Sequence, residues 1–137
     1  MKQNYQAHRA DWGKQRALSI AWSVFSRSRF YVYERYCVED VYNGRAGYID
    51  LWAVNSDGAR IGVHYPSKPK FRAKALYTLA KMEPDKVVFI HEKINIIKAG
   101  PRYEYVRSIL KDAVIYVVDL AEQAAYRYME GEFKLIA

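Results

Sequence analysis

GYIDLWAVNSDGARIGVHY, residues 47–65, reads as a β-hairpin, and the remaining elements arrange themselves around it. Two apolar runs, Tyr48–Val54 and Ala59–Tyr65, flank the tetrapeptide Asn55-Ser56-Asp57-Gly58. Asn at the first position and Gly at the fourth suit a type I turn whose Gly closes a bulge in the left-handed region. That turn sets Asn55 opposite Ala59 and, counting back, Asp50 opposite His64 on the same face. A tighter Asp57-Gly58 turn would pair Asp50 with Tyr65 instead and send His64 to the other face, because a one-residue slip inverts the faces. The fit of Asn55 to the type I turn favours the first register. A carboxylate and an imidazole are then expected to meet inside an apolar hairpin.

The elements before the hairpin follow from periodicity. Residues 1–10 read as an arm or a frayed helix start, and Asp11 as a cap. Leu18, Ala21, Trp22 and Phe25 recur at helical spacing, so Trp22 is expected in the core, with Lys14, Arg16 and Ser23 on other faces. Arg29–Val38 is rich in aromatic and β-branched residues and predicts a strand. Glu34 interrupts that strand's apolar face, level with Phe30, Val32 and Tyr36; it belongs to a sheet margin, an ion pair or a site.

After the hairpin, Pro66 and Pro69 frame the basic loop PSKPK. A helix is expected from near Phe71 to Met82, stopped by Glu83-Pro84-Asp85. Lys86–Ile90 then reads as a fully covered strand, which suggests a crossover connection. Ile94–Ile97 is a short apolar segment, Arg102–Lys111 a helix and Val114–Val118 a strand. Asp119 is expected to cap a final helix reaching about Tyr128.

The chain has 137 residues, 51% of them apolar and 27% charged, which suits one globular domain over residues 1–137. No apolar run approaches the roughly 18 residues of a spanning helix, and the polar start MKQNYQAHRADWGK lacks a signal-peptide apolar region. Cys37 is alone, so no disulfide framework or cysteine metal site can form. An intracellular, cytoplasmic protein without a membrane partner is the expectation. Net charge is +7, with Arg27, Arg29, Lys68, Lys70, Arg72 and Lys74 just before the first strand and just after the hairpin. Such a footprint suits DNA or another nucleic acid, or else a solvated basic face. The thirteen tyrosines serve cores and interfaces alike, and a homodimer is compatible with them.

The order helix, strand, strand, strand, helix, strand resembles the common core of the PD-(D/E)XK nuclease superfamily. The resemblance lies in Tyr48-Ile49-Asp50-Leu51, in Ile61-Gly62-Val63-His64-Tyr65-Pro66, and in the basic helix Phe71–Met82 followed by Val87–Ile90. It covers about residues 11–91, leaving about 92–137 as a C-terminal extension. It implies an α/β fold, a three-layer-like mixed sheet with an αβββαβ core, extended here by helix–strand–helix. In that family an Asp and a Glu hold Mg²⁺ and a following Lys positions the attacking water. Asp50 matches the Asp, whereas His64 and Pro66 stand at the Glu and Lys positions.

The resemblance therefore implies a nucleic-acid-binding protein with an incomplete catalytic motif. An active metal-dependent endonuclease would rebuild the site with Asp50 and His64 as metal ligands, Glu34 as the missing carboxylate, and Lys68 or Lys70 as the missing lysine. Its ion would be Mg²⁺ or Mn²⁺, or Zn²⁺ through the imidazole. A non-enzymatic protein-interaction module is the remaining alternative. His8, His64 and His91 are too scattered in sequence to suggest a ligand set.

Overall fold

The Asn55–Gly58 turn closes as its chemistry demands. The Gly58 N–H donates to the Asn55 carbonyl at 3.1 Å, and Gly58 takes a φ of 84°. The Asn55 side-chain oxygen accepts from the Asp57 and Ala59 amides at 3.1 and 2.9 Å. The flanking strands pair Val54 with Arg60 and Leu51 with Val63, which puts Asp50 level with His64. The first register holds.

This computed structural model describes the backbone of residues 2–66 and 71–137, and the side chains of residues 13–66 and 71–137. Its elements are α1 (Lys2–Arg27), β1 (Tyr31–Tyr42), β2 (Arg45–Val54), β3 (Arg60–His64), α2 (Ala73–Lys81), β4 (Lys86–His91), α3 (Gly100–Ile109), β5 (Val114–Asp119), β6 (Ala124–Met129) and β7 (Glu132–Leu135). The strands form one mixed sheet in chain order, β1 to β7. β1–β2–β3 and β5–β6–β7 are antiparallel, while β3, β4 and β5 run parallel. Both parallel steps cross over through a helix, as the covered strand Lys86–Ile90 implied.

Alternation along the buried strands sorts two cores. Val87 and Phe89 pack with Leu76 and Leu79 of α2, with Tyr103 and Val106 of α3 and with Leu110 just after it. On the opposite face, Val88 and Ile90 pack with Leu51, Val63 and the α1 residues Ala17, Leu18, Ala21 and Phe25. The result is helices, sheet, helix: an α/β architecture of three layers.

Two glycines let α2 seat closely on the sheet. A Cβ added at Gly62 would come within 2.6 Å of Leu79 Cδ2, and one at Gly47 would overlap Thr78 Oγ1 and lie 3.0 Å from Thr78 Cβ. Gly47→Ala is therefore expected to cost about 1–3 kcal/mol of stability through overpacking. In the double variant with Thr78→Ala the cost falls below the sum of the single changes. Additive losses in urea unfolding would show that the close approach is not what constrains Gly47.

Several sequence expectations are corrected. Asp11 lies inside α1, which begins at Lys2, and so does not mark the start of the helix. Trp22 is 43% exposed: the small Ala17 and Ala21 carry α1 close to the sheet, and the bulky indole is left on the flank. The first strand continues past Val38 to Tyr42 and turns at Asn43-Gly44, where φ values of 48° and 74° make the tight mirror-image turn favoured in hairpins. Ile94–Ile97 forms loop and turn, with Ile97 exposed.

The largest correction is at the C-terminus. Asp119 ends β5, and the expected final helix is the hairpin β6–β7, so the extension is helix–strand–strand–strand. Glu130 and Gly131, with φ of 54° and 77°, supply its two-residue turn. Tyr126 and Tyr128 then fall on one face and pack on the α2/α3 core, which a helix could not arrange at that spacing. Asp119 still uses its capping chemistry, accepting from the Glu122 amide at 3.3 Å in the connecting turn.

Candidate nucleic-acid interface

Ladder pairing between β2 and β3 stops at Leu51 and Val63. One residue further on, the Asp50 side chain takes over. Its Oδ2 accepts from the Tyr65 amide at 2.8 Å and lies 3.2 Å from His64 Nδ1. Its Oδ1 is 3.0 Å from Lys14 Nζ of α1. Burial alone would raise this carboxyl, but His64, the Tyr65 amide and Lys14 outweigh it and hold Asp50 at about 2. Asp50 is thus ionised throughout the neutral range, between two basic side chains.

The Asp50–His64 meeting was legible in the turn; Lys14 was not. Its signal was nevertheless present, since counting the α1 stripe back from Phe25 through Ala21 and Leu18 reaches position 14. A lysine there faces the sheet.

Beside Asp50 opens a cavity of about 270 Å³, lined by Lys14, Tyr48, His64, Tyr65, Arg72 and Lys74 among others. Arg72 precedes α2 and Lys74 sits in its first turn, so the helix start aims two cations into the space. Arg27 and Arg29 do not join them. They precede Tyr31, which pairs with Val54, and Val54 pairs with Arg60 at the far end of β3 from His64. Lys68 and Lys70 lie outside the described residues, as does the side chain of His8. The six cations are therefore not one footprint.

Glu34 also stays away from the carboxylate. It pairs with Leu51 and is exposed, and the residue level with Asp50 is Arg35. Arg35 takes a φ of 47° and lies over the Tyr48 ring at 5.1 Å. Among the described residues, no three His, Cys, Asp or Glu side chains gather as metal ligands. One carboxylate and one imidazole, with a lysine already on the carboxylate, do not match the oxygen-rich shell that Mg²⁺ needs.

Parallel pairing produces a second cluster that sequence distance had hidden. His64 and His91 end the adjacent strands β3 and β4. The His64 ring meets Phe89 edge-on at 6.0 Å, and the His91 ring meets Phe71 at the same separation. His91 Nε2 lies 2.6 Å from the Tyr103 hydroxyl. Burial, then the charges of His64 and Arg102, push His91 down to about 4 against the opposing pull of Asp119, so its ring is neutral at pH 7. Burial also raises the Tyr103 hydroxyl well above its usual range.

No protein-family model, curated protein or solved structure matches this chain. Function is accordingly read from the site.

Proposed function

We propose that the chain is a nucleic-acid-binding protein on a PD-(D/E)XK nuclease-like arrangement with an incomplete catalytic motif. Phosphates enter the cleft between α1, the end of β3 and the start of α2. One observation carries this reading: Lys14 already pairs with Asp50, whose other oxygen meets His64, while Arg72 and Lys74 line the same cavity without an acidic partner among the described residues. Two free cations beside a satisfied carboxylate attract a polyanion. Contacts of this kind position a strand without reading its sequence. The element order α1–β1–β2–β3–α2–β4, with Asp50 on β2, supports the nuclease-like comparison.

The test is binding of labelled duplex and branched DNA at low salt, with and without Mg²⁺ or Mn²⁺, with products run on a denaturing gel. Salt-sensitive binding without cleavage is expected. Arg72→Glu with Lys74→Glu should weaken binding at least ~10-fold and lower the salt slope by about 0.9 for each phosphate that is no longer neutralised. Adding Lys68→Glu and Lys70→Glu should abolish it. Binding that survives all four changes would place the interface elsewhere. Cleavage that disappears in Asp50→Ala would replace this reading with a metal-dependent endonuclease.

A protein-interaction module is the second reading, favoured by the ribbon's exposed tyrosines, among them Tyr31, Tyr33, Tyr42 and Tyr48. It requires that no DNA binding is seen even at low salt.

A further inference from the structure

A second cavity, of about 250 Å³, opens at the ends of β4 and α3. Its wall residues include Lys93, Lys98 and Arg102, and among the described residues no acidic side chain lines it. Asp50 is the only acidic residue in an ion pair among the described residues, so these three cations have no carboxylate partner. Unpaired cations around one concave space raise the local concentration of anions there. The buried Tyr103 and Ala99 lie deep in this cavity, with Phe71 and Ile94 as half-buried apolar walls.

The backbone that carries Lys98 and Arg102 is ordered by hydrogen bonds. Asn95 Oδ1 accepts from the Ile97 and Lys98 amides at 3.1 and 3.4 Å, and the Lys98 amide also reaches the Asn95 carbonyl at 3.1 Å. That turn presents Lys98 on one side. The first turn of α3, where the Tyr103 amide donates to the Ala99 carbonyl at 3.1 Å, presents Arg102 on the other. Ordered supports of this kind reduce what a ligand must spend on binding.

We infer that this cavity is a binding site for a phosphate monoester, the terminal phosphate of a nucleotide or of a nucleic-acid strand. A dianionic head matches a cavity lined by three cations, and the planar guanidinium of Arg102 can meet two phosphate oxygens at once. The volume falls just below the roughly 300–1,000 Å³ of sites for drug-sized ligands, so it suits a phosphate with its sugar. Phe71 and Ile94 give the organic part an apolar surface. The site is separate from the Asp50 cleft, and its occupation does not require that cleft to bind DNA.

Free and strand-borne phosphate are distinguished by two sets of titrations. Calorimetry follows AMP, adenosine and inorganic phosphate. Fluorescence anisotropy compares one single-stranded oligonucleotide carrying either a 5′-phosphate or a 5′-hydroxyl. Binding of AMP but not adenosine supports the site and identifies a free nucleotide. A preference of ~10-fold or more for the phosphorylated end supports it and identifies a strand terminus. In the Lys98→Gln/Arg102→Gln variant, whose exposed positions leave thermal unfolding unchanged, either preference is lost.

Absence of both phosphate effects in the wild-type protein overturns the inference. So does a variant that weakens both oligonucleotides equally, because the cations would then act only as a diffuse basic surface. Neither result bears on the Arg72/Lys74 test, which reads duplex binding and its salt slope.

Discussion

Tyr103→Ala lowers the free energy of unfolding by about 3–5 kcal/mol, the range for truncating a buried aromatic residue. Tyr103 is fully buried, and its ring has Phe71, Phe89, Phe133 and Tyr128 around it at centroid distances of 5.2, 5.7, 5.3 and 5.6 Å. Those neighbours come from the lead-in to α2, from β4, and from β6 and β7. Removing the ring therefore opens a cavity where the crossover helices meet the C-terminal hairpin. Tyr103→Phe keeps the ring and loses only the hydroxyl at His91 Nε2, so it should cost about 1–3 kcal/mol, the penalty of an unpaired buried group. Urea unfolding of both variants reads the difference as a shift in midpoint at constant slope. Equal losses in the two would mean that the hydrogen bond, and not the aromatic packing, carries Tyr103.

Acid should destabilise the protein in two stages. His91 sits at about 4 in the folded state, against 6.5 for a free imidazole. Below pH 6.5 the unfolded chain takes up a proton that the folded chain refuses until pH 4. The stability that His91 contributes is therefore fully present above pH 6.5 and is lost as the pH drops to 4, by about 3 kcal/mol in full. Asp50 adds the second stage. Its folded value of about 2 lies below the ordinary 3.8, so its contribution is present above pH 3.8 and is lost as the pH falls through 2. That loss is about 2 kcal/mol. Unfolding free energies measured across pH in wild type, His91→Gln and Asp50→Asn isolate each stage by difference. A His91→Gln curve parallel to wild type between pH 6.5 and 4 would refute the first stage. Parallel curves for Asp50→Asn below pH 4 would refute the second.

How much could be read in advance depended on the range of the interaction. The hairpin register, and with it the Asp50–His64 contact, depends on a turn whose residues are neighbours in sequence. The crossover into β4 was legible because a strand covered on both faces carries an unbroken apolar run, and Val87 to Ile90 is such a run. The C-terminal hairpin is hidden in the sequence because Asp119 is a good cap and Ala124-Ala125 a good helix start. Local propensity there is nearly neutral, and pairing with the open edge of β5 settles the outcome.

The site's composition was much less legible. Lys14 reaches Asp50 from another element, and strand direction puts Arg27 and Arg29 at the opposite end of the sheet from Arg72 and Lys74. His64 and His91 are distant in sequence yet end neighbouring parallel strands, which places their rings on either side of the Phe71–Phe89 pair. Turn chemistry and periodicity act over a few residues, so the chain alone dictated the first six elements, the register of β2 on β3 and the position of Asp50 beside His64. Which cations face a common cavity, and which histidine is desolvated to neutrality, follow from sheet order and helix docking. Those are long-range choices, set by how the two apolar faces of one sheet are covered.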